Sequence, residues 1–326
     1  MPQKEAKVYI IIVNYNGWQD TIECLESIFN QAYQHYQIVV VDNSPTEYSI
    51  EQIKSWLIGE NKYKLECNLP NLVYPLSPKP IPFQFLEENE IFDANLLYEQ
   101  IILIRTKANN GFAHANNVAL KLLLSVKSNF YVWLLNNDTV VHPLALRELV
   151  AAFDSQKKTG ITGSQLREYK DPQKVQLLAS RYNEWLGKLK LYKDTRESHY
   201  PAGASMMISD TFLKKVGLME ERYFLYFEEL DWVKRGKKKG LCVSIRKASK
   251  VYHKGSATIG SNSKLADFYW VRSRILFTLK FKPLALLLLY PAFILFAINR
   301  IRRKQFDRIP MLFKILLHPK KMHPRE

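Results

Sequence analysis

The sequence has few cysteines and none of the glycine patterns that cradle phosphates. Its three cysteines, Cys24, Cys67 and Cys242, are widely spaced, and no CxxC pair occurs. A zinc ribbon and a disulfide framework are therefore disfavoured, and a reducing compartment is expected. No GxGxxG follows the first predicted strand and no GxxxxGK[ST] occurs, which argues against a dinucleotide-dependent dehydrogenase and a P-loop NTPase.

A secretory signal peptide, internal repeats and low-complexity segments are also missing. The apolar run near the N-terminus, residues 8–13, is shorter than an h-region, and no small-residue cleavage site follows it. The 326 residues are 47% hydrophobic and 24% charged, which is the composition of a folded globular protein. We therefore expect a folded protein that stays in the cytoplasm.

Acidic residues are almost absent from the last third of the chain. Residues 234–326 contain 23 Lys and Arg but only 3 Asp and Glu, whereas residues 1–233 contain 24 and 28. The net charge of +16 thus combines −4 in the first part with +20 in the second. The last third is expected to meet a polyanion: nucleic acid, anionic lipid or a phosphorylated substrate.

Apolar runs and helical periodicity alternate in the first half of the chain. Four β-branched runs predict strands buried on both faces, at residues 8–13, 38–41, 101–104 and 131–135. Helical spacing predicts helices at residues 20–31, 114–126 and 143–153, the last opened by Pro143. Shorter strands are predicted at residues 202–208 and 241–245. This order is typical of an α/β fold with a parallel sheet.

Two segments depart from this order. Residues 46–100 interrupt it, and the five prolines of residues 69–82 predict a surface insertion without regular helix or central strand. Near the C-terminus, residues 284–298 and 309–317 are apolar and flanked by Lys and Arg. The first is short for a membrane span, which needs about 20 residues. It also contains Pro291, so we expect an interfacial or re-entrant anchor; the alternative is a helix buried against the domain.

Polar residues follow the predicted strands at their carboxyl ends, where open α/β sheets bind ligands. Asp42 and Asp138 each stand in an Asp-Asn cluster of this kind. Either aspartate alone is explained by turn formation. Two such clusters in one sheet favour a site, and Asp138 is suited to hold a divalent metal as a hard oxygen ligand.

A third acidic cluster contains Glu228, Glu229 and Asp231 and follows an aromatic run. Desolvation and mutual repulsion raise the proton affinity of such carboxylates, as a general base near neutral pH requires. The first turn of a helix would also favour acidic residues, and Asp231 is spaced to pair with Arg235. His253 alone indicates little, but with such partners it becomes a candidate metal ligand.

Seven motifs in this order resemble the family 2 inverting glycosyltransferases, and within them the rhamnosyltransferase-like branch most. The resemblance extends from Val8 to about Arg274 and is interrupted by residues 46–100. The motifs are VNYNG (13–17), VVVDNS (39–44), NNGFAHANN (109–117), LLNNDT (134–139), AGASMMI (202–208), FLYFEELDW (224–232) and HKGSAT (253–258).

The resemblance implies a GT-A fold, in which a Rossmann-like mixed sheet has helices on both faces, and a divalent cation, Mg²⁺ or Mn²⁺. Asp138 and His253 would be the metal ligands. Glu229 would be the catalytic base where the family usually has Asp, and Glu228 or Asp231 could share the task. The residues that it assigns to the nucleotide sugar are Asn14, Tyr15, Asn16, Asp42, Asn110, Gly111, Asn137 and Gly203.

The sequence therefore predicts a catalytic domain at residues 1–266 and a basic, apolar helical tail at residues 267–326. The domain would comprise a nucleotide-binding half, about 1–140, and an acceptor half, about 141–266. The expected reaction is hexosyl transfer from a nucleotide-diphosphate sugar to a glycan or lipid-linked acceptor in cell-surface polysaccharide synthesis. The protein would be peripheral or monotopic on an anionic membrane surface, at the inner face of the cell membrane.

Two other functions remain open from the sequence. The basic third and its aromatic residues Tyr252, Phe268, Tyr269 and Trp270 would also suit a nucleic-acid-binding protein. The basic residues flank apolar stretches, however, which favours lipid headgroups over nucleic acid. A non-catalytic relative that retains the fold is the third reading, because Glu229 departs from the usual Asp.

Overall fold

The structure is a computed structural model that describes residues 6–92, 99–155, 158–194, 200–255 and 263–319. The strands in these residues are β1 (Lys7–Asn14), β2 (Tyr36–Asp42), β3 (Phe83–Glu87), β4 (Ile101–Arg105), β5 (Phe130–Asn136), β6 (Thr139–Val141), β7 (Thr159–Glu168), β8 (Val175–Leu177), β9 (Ala179–Asn183), β10 (Lys188–Tyr192), β11 (Ser205–Ser209) and β12 (Cys242–His253). The α-helices are α1 (Trp18–Phe29), α2 (Tyr48–Ile58), α3 (Pro70–Val73), α4 (Phe112–Leu123), α5 (Ala145–Ser155), α6 (Asp210–Val216), α7 (Glu228–Lys238), α8 (Lys264–Phe281), α9 (Leu286–Arg302) and α10 (Ile309–Leu317).

One mixed sheet of ten strands organises the domain. Its order is β3-β4-β2-β1-β5-β11-β7-β12-β6, with β8 paired to β7. The five strands from β3 to β5 are parallel, β11 is antiparallel to both its neighbours, β12 is parallel to β7, and β6 is antiparallel to β12. Strands β9 and β10 form a separate antiparallel hairpin. The predicted α/β class is confirmed.

The central strands are buried on both faces, which explains their continuous apolar sequences. On one face of β1, Ile10 and Ile12 pack in a cluster with residues of α1, α2 and α5. On the other face, Tyr9 and Ile11 pack in a cluster with residues of α4, α6 and α7. A single-residue slip would exchange the two sets of side chains, so packing on both sides fixes the register.

The structure differs from the sequence prediction between residues 46 and 100. Helix α2 buries Ile50, Ile53 and Leu57 against the sheet, and β3 extends the sheet as an edge strand parallel to β4. The segment is thus partly an integral layer of the fold. Between residues 69 and 82, where the prolines lie, the one helix is the four-residue α3.

Some predicted boundaries also differ. Strand β11 begins at Ser205, after the predicted residue 202, and helix α5 begins at Ala145, after Pro143. Strand β12 extends to His253 because its pairing with β7 shifts register between Arg246 and Lys250 and then continues. The predicted boundary at residue 266 falls in the first turn of α8.

Helices α8, α9 and α10 pack together and against the loop that precedes α7. Arg272 and Ser273 of α8 donate hydrogen bonds to main-chain carbonyls of residues 222–225. Asp267, in the first turn of α8, accepts from Arg300 at the end of α9 (2.6 Å) and from Arg308 (2.5 Å). Since a short turn joins the end of α8 to the start of α9, the two helices lie antiparallel along each other.

Much of the apolar surface of α9 and α10 faces outward. By length and composition, the helical segment Pro283–Arg302 could cross a membrane, and only 22% of it is buried. The sequence alternative of a helix buried against the domain describes only one side of α9, on which Leu289 and Phe293 are buried. The exposed side chains of this region form what we call the apolar face: Leu284, Leu287, Leu288, Ile294, Leu295, Ile298, Ile301, Phe306, Phe313 and Leu317.

Candidate active site

The carboxyl ends of the parallel strands bring the predicted polar clusters to one edge of the sheet. Asn14 at the end of β1 lies in register with Asp42 at the end of β2. On the other side of β1, Val13 lies in register with Asn136 of β5. The clusters that begin at Asp42 and Asn136, which lie 28 and 122 residues after Asn14 in sequence, therefore meet Asn14 at this edge.

Asp42 presents one carboxylate oxygen that no group of the described chain uses. Its Oδ1 accepts from Asn14 Nδ2 (2.5 Å) and Ser44 Oγ (2.6 Å), while the buried Oδ2 has no hydrogen-bond partner. Burial raises the pKa of Asp42 above its ordinary value, and these hydrogen bonds partly offset the rise. Asn14 itself is fully buried and bonded to Asp42, Ser49, Thr21 and Gly17, so it orients Asp42.

The other residues assigned to the nucleotide sugar differ in how available they are. Asn16 and Asn110 are exposed at the edge of the sheet, and Tyr15 is half-buried. The Asn137 amide, in contrast, is bound to Gly17 O (3.2 Å) and Thr21 Oγ1 (3.1 Å). Asn16 and Asn110 are therefore free to meet a ligand, whereas Asn137 holds the strand ends together.

Asp138 and His253 meet because β12 runs antiparallel to β6. This pairing places His253 opposite Thr139, the residue after Asp138. His253 Nε2 lies 3.3 Å from Asp138 Oδ1, and both buried atoms lack a hydrogen-bond partner among the described residues. Burial alone would raise the pKa of Asp138, but the neighbouring imidazole outweighs it, so the pKa lies below its ordinary value.

Gln176 fixes which nitrogen of His253 carries the proton. Gln176 Nε2 donates to the main-chain carbonyl of His253 (3.3 Å), so its Oε1 is the atom that faces His253 Nδ1 at 2.7 Å. Nδ1 must then be the donor, so Nε2 faces Asp138 with a second proton when the ring is charged and with a lone pair when the ring is neutral. A lone pair and a carboxylate repel each other unless a cation lies between them.

These two side chains therefore fit a divalent cation. No cluster of three His, Cys, Asp or Glu residues suitable for a metal is found in the part of the chain that the structure describes. A site with two protein ligands is typical of cations whose remaining ligands are substrate phosphates and water. The sequence pointed to Asp138 and His253 but gave no sign of Gln176.

Lys254 is a second residue of this region that sequence reasoning missed. Its Nζ lies 2.5 Å from both Asp20 and Glu23 of α1, and its main-chain N–H donates to Asp138 O (3.0 Å). The two carboxylates outweigh burial and raise the pKa of Lys254. This buried ion pair holds the end of β12 against α1 and so keeps His253 beside Asp138.

Glu229 lines a pocket of about 160 Å³ with largely apolar walls. Gly203 forms the wall nearest its carboxylate: a Cβ atom at Gly203 would lie 2.3 Å from Glu229 Oε1. The remaining pocket residues include Tyr226 and Trp270 and, from the β9–β10 hairpin, Ser180, Leu189 and Leu191. Gly203, which the resemblance assigned to the nucleotide sugar, thus lies beside the candidate base.

Glu228 and Asp231 lie in different surroundings from Glu229. Glu228 is 1% exposed, and burial together with repulsion from Glu229 raises its pKa well above the ordinary value. Asp231 is fully buried, with Tyr223 (2.9 Å) and Lys280 (2.6 Å) on one oxygen and Arg235 (2.6 Å) on the other. Asp231 is thus the centre of a structural ion-pair network, which does not support a share in the base role.

The loop that leads into α7 is strained. Phe224, Tyr226 and Phe227 have φ of +66°, +64° and +75°, a region that residues other than glycine rarely adopt. Gly111, with φ +97°, allows this loop to approach α4, since a Cβ atom there would lie 2.3 Å from Phe224 O. The packing of α4 and α8 on the loop therefore sets the position of Glu229.

The pocket and the Asp138–His253 pair lie at the same edge of the sheet. Asn136 N donates to Ala204 O at 3.0 Å, which joins the residues just before Asp138 and just after Gly203. At one end of this edge, Asp138 Oδ1 and His253 Nε2 could bind a metal whose other ligands are phosphates. The other end offers a carboxylate of raised pKa in an apolar pocket, where burial is the main cause of the shift.

Comparison with known proteins agrees with this fold. Residues 9–66 match the family described as glycosyl transferase family 2, and residues 90–266 match glycosyltransferase like family 2. GalNAc-T7 with UDP, GalNAc and Mn²⁺ superposes with a TM-score of 0.55 at 14% identity, over 83% of this chain and 48% of that one. The mannosyltransferase PcManGT from Pyrobaculum calidifontis, with GDP-Man and Mn²⁺, gives 0.54 at 12% identity, over 99% and 78%. The GT-A fold is confirmed.

A curated relative matches most of this chain but less than two thirds of its own length. The low-salt glycan biosynthesis hexosyltransferase Agl10 of Haloferax volcanii is 22% identical over 240 residues, which are 71% of this chain and 62% of that protein. The rhamnosyltransferase-like branch stays a prediction. Since the second family match alone covers more than half of the sequence, the chain belongs to the glycosyltransferase-like family 2 and has the GT-A fold.

Proposed function

We propose that this chain is an inverting, metal-dependent transferase that moves a hexosyl group from a nucleoside-diphosphate sugar to a hydroxyl of a glycan or lipid-linked acceptor. The observation that carries the proposal is the carboxylate of Glu229 over Gly203, at the same sheet edge as Asp138 and His253. Residues of about 1–140 would bind the nucleotide, and residues of about 141–266 would bind the acceptor. The pathway that we infer is cell-surface polysaccharide synthesis.

At the donor end, Asp42 offers its unpartnered Oδ2 to the base or ribose of the nucleotide. Asp138 and His253 would hold a divalent cation, Mg²⁺ or Mn²⁺. Such a cation neutralises the charge that develops on a leaving nucleoside diphosphate. The two superposed structures contain Mn²⁺ together with UDP in one and GDP-Man in the other, which supports this assignment by analogy of fold.

At the acceptor end, Glu229 would accept the proton of the attacking hydroxyl. A positioned carboxylate of raised pKa does this near neutral pH. Glu228 is buried outside the pocket that Glu229 lines, and burial together with repulsion from Glu229 raises its pKa, so neither its position nor its charge favours a role as a second nucleophilic carboxylate. One base and one displacement invert the anomeric centre, whereas retaining glycoside hydrolysis uses two carboxylates.

The nucleotide is the first property to test. With Mn²⁺ present, one of UDP, GDP and dTDP should raise the melting temperature of the full-length protein, because it binds only the native state. The rhamnosyltransferase-like branch favours dTDP. Transfer from the matching sugar nucleotide, with and without Mn²⁺, then separates an active enzyme from a non-catalytic relative. A protein that no nucleoside diphosphate stabilises would contradict the proposed function.

The structure gives little support to the nucleic-acid alternative. Tyr252, Phe268 and Tyr269 are buried, and Trp270 forms a wall of the Glu229 pocket. Stacking on nucleic acid bases requires exposed aromatic faces, which these residues do not offer. The basic residues of α9 instead flank the apolar face.

We propose that the apolar face lies in the headgroup region of an anionic membrane, so that the protein is peripheral or monotopic at the inner surface. Helix α8 is bonded to the catalytic domain, and α9 lies antiparallel along α8 with Arg300 on Asp267. To cross a bilayer, α9 would have to leave this buried ion pair. Apolar burial together with nearby Arg and Lys is the pattern of an interfacial helix.

Replacing Leu284, Leu287 and Leu295 by Ser in the full-length protein should reduce cosedimentation with phosphatidylglycerol vesicles at least about tenfold, since each buried leucine contributes about 1.5–3 kcal/mol. Tyr48→Ser with Phe92→Ser is the matched control, because these exposed apolar residues lie elsewhere. Equal loss in the control would contradict the assignment. Binding that does not depend on lipid charge or on salt would refute the electrostatic contribution.

A further inference from the structure

Arg274 of α8 is a largely enclosed cation with no acidic partner among the described residues. Its guanidinium lies 5.2 Å from the ring centroid of Trp270 and 5.7 Å from that of Phe293. The Nε atom is buried and has no hydrogen-bond partner. A buried charge without a counter-charge is costly, so a chain rarely retains one unless a ligand supplies the anion.

Tyr182 of β9 offers a second unpartnered polar group at the same place. The residue is 6% exposed, and its buried hydroxyl has no partner at hydrogen-bond geometry within the described chain, where Arg274 and Thr278 are polar groups beside it. Gly187, between β9 and β10, shows how close these groups are. A Cβ atom at Gly187 would lie 3.2 Å from Arg274 Cδ, 3.5 Å from Tyr182 Oη and 2.5 Å from Leu289 Cδ1 of α9.

Arg274 and Tyr182 lie between the Glu229 pocket and the apolar face. Trp270, on which the guanidinium lies, is a wall of the pocket that contains Glu229. Phe293 and Leu289, on the other side, belong to α9 and pack beneath the apolar face. The β9–β10 hairpin, which carries Tyr182, exposes the apolar side chains Trp185 and Leu186. An anion bound here would therefore lie between the candidate base and a surface suited to hydrocarbon.

We infer that the Arg274 guanidinium and the Tyr182 hydroxyl bind the phosphate of a lipid-linked acceptor. The acceptor hydroxyl would then reach Glu229, and the hydrocarbon chain would lie along the hairpin and the apolar face. Guanidinium groups recognise phosphate through paired, charge-assisted hydrogen bonds, and a hydroxyl adds one more donor. The inference rests on the proposed function, because it names the acceptor class of that site.

The test is equilibrium binding of dodecyl phosphate to the full-length protein in dodecyl maltoside micelles, measured by calorimetry. We expect Arg274→Met to weaken binding about tenfold or more, and Tyr182→Phe to weaken it a few-fold, as loss of charged hydrogen bonds implies. Lys282→Met is the matched control. This cation lies over Trp185 on the same hairpin, 4.4 Å from the ring centroid, and should leave binding within about twofold.

Other arms of the experiment distinguish the sources of the phosphate. Inorganic phosphate that binds as tightly as dodecyl phosphate would refute the lipid class. If Arg274→Met weakens binding to phosphatidylglycerol vesicles as much as it weakens binding of dodecyl phosphate, the site binds bilayer headgroups and the acceptor role is refuted. Equal binding of dodecyl phosphate by wild type, Arg274→Met and Tyr182→Phe would refute the site.

Stability and activity provide independent readouts. Because it removes a buried unpaired charge, Arg274→Met should leave the melting temperature unchanged or higher, whereas a structural arginine would lower it. None of these measurements needs donor, metal or turnover. If dodecyl phosphate binds as expected but no sugar is transferred, the proposed function fails while the phosphate site stands.

Discussion

Glu229→Gln should lower kcat by about 10²–10⁴-fold, which is the usual contribution of a positioned general base. The amide retains the size of the side chain but cannot accept the hydroxyl proton. Donor affinity should change little, because the pocket that Glu229 lines includes neither Asp42 nor Asp138. Steady-state transfer assays combined with calorimetry of the nucleoside diphosphate separate these two effects.

The same assignment predicts a pH dependence of defined sign. Burial raises the pKa of Glu229 above its ordinary value of 4.5. The base must be ionised to work, so kcat/KM should fall as the pH is lowered through this raised pKa. The acid limb of the wild-type profile should therefore lie above pH 4.5, and in Glu229→Gln it should disappear from the residual activity.

Three further variants show whether position 229 is the right one. Glu228→Gln should change kcat far less, because Glu228 is buried outside the pocket that Glu229 lines. Asp231→Asn should lower the melting temperature, since it breaks the ion pairs to Arg235 and Lys280. Gly203→Ala should impair activity although it removes no polar group, because its Cβ would displace the Glu229 carboxylate. Normal activity in Glu229→Gln would contradict the assignment.

The sequence predicts the centre of the fold well because burial on both faces leaves a direct mark. Strands such as β1 and β5 are continuous apolar runs, and the polar residues after them had to meet at one edge of a parallel sheet. Helix α2 and strand β3 were missed because the prolines between them dominate the local pattern. Their burial depends on residues distant in sequence, such as Ile10 of β1 and Trp133 of β5, which belong to the same core cluster.

The candidate site was predictable only where a motif or a strand end marks it. Asp42, Asp138, Glu229 and His253 stand in such positions. Gln176, which orients His253, lies in a polar segment without any local signal. Arg274 also could not be singled out, because its significance comes from the carboxylates that are missing around it, and only three-dimensional packing shows this.

Asp138→Asn should abolish Mn²⁺-dependent binding of the nucleoside diphosphate that stabilises the wild type. Loss of a partner that only orients a ligand costs about 10–100-fold in metal affinity, so loss of the charged ligand itself should cost more. The fold should be retained, because the Asp138 Oδ1 atom makes no hydrogen bond and the bond from Lys254 goes to the Asp138 main chain. Calorimetry with and without Mn²⁺ measures the effect.

Two companion variants make this prediction specific to the pair. Gln176→Ala should weaken Mn²⁺-dependent binding by about 10–100-fold, since it frees the His253 ring to turn away from Asp138. Asp171→Asn, an exposed carboxylate in the turn between β7 and β8, should have no effect. Without Mn²⁺, all four proteins should bind the nucleotide equally weakly. If Asp138→Asn still binds the nucleoside diphosphate tightly in the presence of Mn²⁺, Asp138 is not a metal ligand. The proposed pair of ligands, Asp138 and His253, would then be refuted.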